Sequence, residues 1–145
     1  MPSRLRIIQI LLTITALEFF GPAIRDISHS HLLNASWVGH ARLHLAWLLG
    51  FMVFSGLANL YFIWRSAENK RRDLGISAIW QACNLAGFWV AKIAVDSYGG
   101  AIVDPAHHVA ILGMDENVFV FSILTVIYLI ALVLLAKLPG DGRRS

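Results

Sequence analysis

The chain has 145 residues, room for one domain, and 57% of them are hydrophobic against only 14% charged. Together with a mean hydropathy of +0.65, this excludes a soluble globular protein and predicts an integral membrane protein. The net charge of +3 suits basic loops on one side of a bilayer, and no basic patch with interleaved aromatics points to nucleic acid. The sole cysteine, Cys83, excludes an intrachain disulfide.

Four segments approach the ~20 apolar residues that a spanning helix needs. They lie at about 5–20, 37–64, 75–95 and 117–136, and they predict an all-α, four-helix transmembrane bundle as one domain over residues 1–145. The first run follows Arg4 and Arg6 as a signal peptide would, but no small-x-small cleavage site follows Phe20, so it reads as a retained span. Gly21-Pro22 is expected to end it, and it carries Glu18, a carboxylate inside a span.

Residues 26–44 follow and hold Asp26, Arg42 and four of the six histidines: His29, His31, His40 and His44. The second span is expected to begin with Asn34 or Ser36 as its N-cap, so that His40 and His44, four apart, share one helix face in the headgroup layer. The third closes on Lys92 and Asp96, an i, i+4 pair expected to neutralise each other. Asp115 and Glu116 are expected to cap the fourth helix, and His107-His108 after Pro105 reads as a solvated turn.

If every segment spans, nine of the twelve basic residues share one side: Arg4, Arg6, Arg65, Lys70, Arg71, Arg72, Lys137, Arg143 and Arg144. The positive-inside rule makes that side cytoplasmic, as for a bacterial inner-membrane protein with both termini inside. All six histidines then fall on the opposite side with Asp26, Asp96, Asp104, Asp115 and Glu116. Within the spans, His40, His44, Ser55 and Asn59 form one stripe, and Ser77, Gln81, Asn84, Lys92 and Asp96 another. Polar groups in hydrocarbon turn inward, so the two stripes are expected to face each other. Gln9 and Thr13 face away from Glu18 and are assigned to a helix contact.

The pattern D-x4-H-x2-N-x2-W-x2-H-A-R-x-H, carried by Asp26, His31, Asn34, Trp37, His40, Ala41, Arg42 and His44, resembles that of a family of short four-span membrane proteins of unknown function. The likeness covers these residues and the hydropathy profile. It departs at Ala35 and at Val38-Gly39, where the pattern carries prolines, and at Leu43, where it carries phenylalanine. The resemblance implies an architecture and a shared polar set, and no reaction. A looser analogy is to the emopamil-binding and sterol-isomerase group, whose small bundles hold acids and histidines in a lipophilic cavity.

The expected function is an enzyme acting on a lipophilic small molecule near the extracytoplasmic boundary. Glu18, His40 and His44 would supply acid–base groups, with Asp26, His31, Lys92 and Asp96 in support, for isomerisation, cyclisation or epoxide opening. A metal-assisted version would use His31, His40, His44 and Glu18; imidazole and carboxylate without thiolate suit Zn, Fe, Mn or Cu. The alternative is a non-catalytic binder of lipid or cofactor, or a subunit whose featureless fourth helix meets a homo-oligomer or another membrane subunit. Transport is discounted because the inner half holds only Gln9, Asn59, Gln81 and Asn84.

Overall fold

The computed structural model describes residues 3–65, 68–105 and 108–138. It is an all-α four-helix bundle whose four spans are long and apolar enough to cross a membrane. The first span is broken into α1 (Arg4–Thr15) and α2 (Leu17–Arg25). The others are α3 (Gly39–Trp64), α4 (Lys70–Ile93) and α5 (Glu116–Ala136). A 3-10 turn, Val95–Tyr98, follows α4, and a short hairpin of β1 (Ala110–Ile111) and β2 (Met114–Asp115) leads into α5.

The inner half of the first span, α1, packs on α5, while α2 packs on α3; α3–α4 and α4–α5 contacts close the ring. Chain order makes each neighbour antiparallel. Ile8, Leu12, Ile63, Leu74 and Leu124 fill the core, and Phe88 stacks on Phe121 with ring centroids 3.9 Å apart. Lipid tails are as apolar as these side chains, so close packing and interhelical hydrogen bonds hold the bundle together. Tyr128 Oη donates to the Ala78 carbonyl at 2.8 Å, and Trp89 Nε1 donates to Thr125 Oγ1 at 3.0 Å, tying α4 to α5.

The basic end is also tied. Arg6 lies 4.5 Å over the Trp64 ring, and Arg4 Nη1 donates to the Lys137 carbonyl at 3.2 Å. Gln9 Nε2 donates to the Ile63 carbonyl at 2.7 Å and Trp64 Nε1 to Thr13 Oγ1 at 3.0 Å, so the helix contact expected of Gln9 and Thr13 is made with α3.

Several boundaries differ from the sequence expectation. The first span does not end at Gly21-Pro22: α2 runs through Pro22 to Arg25. Proline removes one amide donor, but Phe19 and Ala23 are buried and Arg25 Nη2 donates to Glu116 Oε1 at 2.6 Å, so tertiary contacts outweigh the local breaker. Neither Asn34 nor Ser36 caps α3, whose N-cap is Val38 without a side-chain bond. Asn34 Oδ1 instead accepts from Ser36 N and Oγ at 3.0 and 2.7 Å, closing an Asx turn. The fourth helical element, α4, starts at Lys70, inside the expected loop. It stops at Ile93, so Asp96 stands exposed on the 3-10 turn, out of helical register with Lys92, and the expected ion pair does not form. Asp115 does cap α5, accepting from Asn117 N at 2.9 Å.

Candidate functional site

The polar side chains inside the bundle stand in layers. At the basic end Asp73 is 1% exposed, and Arg65 Nε lies 2.9 Å from its Oδ2. Further along, α1, α3 and α4 meet in a hydrogen-bonded cluster. Gln81 Nε2 donates to the Leu12 carbonyl at 3.0 Å and reaches Ser77 Oγ at 3.2 Å and Asn59 Oδ1 at 3.4 Å. Thr15 Oγ1 bonds Gln81 Oε1, Ser77 Oγ donates to Asn59 Oδ1 at 2.7 Å, and Asn59 Nδ2 to the Ser55 carbonyl at 2.9 Å. The expected facing of the two polar stripes holds for Asn59, Ser77 and Gln81. The cluster satisfies its own buried groups and so ties helices together.

One turn outward along α2, α3 and α4 stand Glu18, Ser55 and Asn84. Here satisfaction fails. Glu18 is 1% exposed, and neither carboxylate oxygen has a hydrogen-bond partner of good geometry, although Asn84 lies beside it. Ser55 Oγ, also 1% exposed, is unpartnered as well. Pro22 further removes the amide that an unbroken α-helix would offer to the Glu18 carbonyl.

Glu18, Pro22 and Arg25 lie at i, i+4 and i+7, so one face of α2 leads from the carboxyl outward over roughly 10 Å of helix rise to Arg25. Arg25 lines a cleft of about 330 Å³ with Asp26, His31, Trp37, Asp104 and Glu116. His31 Nδ1 lies 3.8 Å from Asp104 Oδ2 and 2.9 Å from Ser30 Oγ, and its ring meets Trp37 edge-on at 6.4 Å. Partial burial pushes the Asp26 carboxyl above the usual range, outweighing the opposing pull of His31 and Arg25. Imidazole, carboxylates and guanidinium thus share one concave surface, a set able to bind a polar group and move a proton.

The residues singled out from sequence are divided by the fold. Asp26 and His31 line the cleft, and Glu18, buried in α2, is not among its lining residues. His40 and His44 do not face the bundle interior. They are exposed on the first turns of α3, with their Nε2 atoms 3.0 Å apart and His44 stacked on Trp47 at 6.2 Å. The helix face with Ser55 is inward only below Leu49, because above it α2 gives way to the 26–38 loop. Lys92 is half-buried in the last turn of α4. The set His31, His40, His44 and Glu18 is not gathered: among the described residues no three His, Cys, Asp or Glu side chains come together to hold a metal. His108 Nδ1 lies 3.4 Å from Asp115 Oδ2, while His107 lies outside the described residues. Arg25, Asp104 and Glu116 were absent from the sequence expectation for the site. Nothing in their spacing signals that three connections meet at one cleft.

No curated protein and no solved structure matches the chain. A family model, described as a family of unknown function (DUF6640), matches residues 11–144, and the chain belongs to that family.

Proposed function

We propose that the protein is an integral membrane enzyme that binds a lipophilic small molecule through the outer cleft and transfers a proton within it. The substrate's polar end meets Arg25, Asp26 and the His31–Asp104 pair, and its apolar part extends along α2 toward Glu18. His31 exchanges a proton at the rim while Glu18 acts in the apolar interior, which fits isomerisation, cyclisation or epoxide opening. The cleft faces away from the cytoplasm and both termini face into it, in a bacterial inner membrane.

The observation that carries this reading is Glu18. A carboxyl buried to 1% exposure with only Asn84 beside it and no ion pair among the described residues is costly to a bundle whose neighbouring polar layer is fully bonded. Asp73, equally buried and likewise without a hydrogen bond, differs in having Arg65 Nε 2.9 Å from its carboxylate.

The test compares wild type and Glu18→Gln, each purified in nanodiscs, by thermal melting and by mass spectrometry of co-purified lipophilic compounds. The glutamine variant is expected to melt at the same or a higher temperature and to carry a different bound compound, with substrate accumulating in place of product. A lower melting temperature with an unchanged compound profile would make Glu18 structural. An unchanged profile with unchanged stability would favour a non-catalytic binder.

A further inference from the structure

We infer that His40 and His44 form a two-nitrogen site for a tetragonal divalent metal, copper(II) in particular, at the outer end of α3. The two imidazoles stand four residues apart in the first turns of the helix, and each is exposed. Their Nε2 atoms approach to 3.0 Å, and the rings stand at 88° with centroids 4.5 Å apart. Among the described residues neither ring makes an ion pair with a carboxylate; His44 is backed instead by Trp47, stacked at an interplanar angle of 25°. In the metal-free pair one Nε2–H donates to the other Nε2. For both rings to bind, the donor ring shifts its proton from Nε2 to Nδ1, and each ring then turns its Nε2 lone pair onto a shared outside point.

The donor set favours one metal. Two imidazoles one helical turn apart can offer two neighbouring positions to one ion with metal–nitrogen bonds of about 2.0–2.1 Å. Two nitrogen donors with the remaining positions open suit a square-planar or tetragonal ion. Copper(II) also heads the divalent affinity order for such donors. No third protein ligand joins among the described residues, so water or lipid phosphate oxygens complete the plane and the ion exchanges readily. The site stands apart from Glu18 and from the cleft.

The experiment is copper(II) titration of the full chain in nanodiscs, followed by calorimetry and electron paramagnetic resonance. One equivalent is expected, with a tetragonal spectrum split by two nitrogens, and zinc(II) is expected to bind at least roughly tenfold more weakly. His40→Ala and His44→Ala should each weaken copper binding at least roughly tenfold by turning a chelate into a single ligand, while His29→Ala, His31→Ala and Glu18→Gln leave it unchanged. Circular dichroism confirms that the variants stay helical, which their exposed positions favour. Copper affinity that survives His40→Ala, or that falls with His31→Ala, would overturn the assignment, as would tighter binding of zinc.

Discussion

Three acids of this chain show how the same carboxyl takes different roles from its surroundings. Asp73 is buried beside Arg65, Glu18 is buried without a hydrogen bond, and Asp26 stands half-buried at the cleft mouth between Arg25 and His31. For Asp26 burial outweighs its cationic neighbours, so its folded-state pKa lies above the unfolded value of about 3.9. The sign follows from linkage. The protonated acid is favoured on folding, so its stabilisation is full below about pH 3.9 and is lost as pH rises through the folded pKa. Asp26→Asn should therefore raise the melting temperature relative to wild type at pH 7 and have little effect at pH 4. A lower melting temperature of the asparagine variant at pH 7 would mean that the ionised carboxylate, paired with Arg25 or His31, is the form the fold prefers. Glu18 could be singled out in the sequence because an acid interrupts an apolar run. Asp73 could not, since it follows Lys70, Arg71 and Arg72 and reads as part of a charged loop.

Among the elements, the broken first span decides where the site lies. The first span turns α1 to α5 and α2 to α3, with a one-residue interruption at Ala16 that keeps helical dihedrals, and the Glu18 layer follows directly above it. Discontinuous helices are tolerated at membrane depth where other protein groups surround them. The α2–α3 contact depends on Gly56: a Cβ there would run into the Phe20 ring. Gly56→Ala should destabilise the bundle by about 1–3 kcal/mol through overpacking, and Phe20→Leu in the same chain should recover most of the loss. Equal melting temperatures for wild type and Gly56→Ala would show that the ring swings aside and that the contact does not set the spacing. The four spans and the Asp115 cap could be read from hydropathy and capping chemistry, which act over a few residues. The passage of α2 through Pro22 and the outward turn of His40 and His44 could not, because each is set by contacts between segments distant in sequence, while the Asx turn at Asn34 is local and competes with helix capping for the same side chain.

Across the whole molecule, charge and chemistry separate to opposite ends. Arg4, Arg6, Arg65, Lys70 and Lys137 cluster where α1 begins and α5 ends. The cleft, the imidazole pair, Asp104 and Glu116 occupy the other end, with Arg25 paired to Glu116. Loop lysines and arginines resist translocation, so the basic end is expected to stay in the cytoplasm, and the cleft and the His40–His44 pair to open to the outside. Single cysteines test this in a Cys83→Ser background, with exposed positions chosen at each end: His29→Cys beside the cleft and Glu68→Cys beside Lys70. In right-side-out vesicles a membrane-impermeant maleimide should label the His29→Cys chain and spare the Glu68→Cys chain, and inverted vesicles should exchange the two results. Labelling of Glu68→Cys alone from outside would turn the bundle over. The cleft would then draw on cytoplasmic substrates, and the paired imidazoles would meet a compartment where thiols hold copper reduced, which removes the tetragonal preference on which their assignment rests.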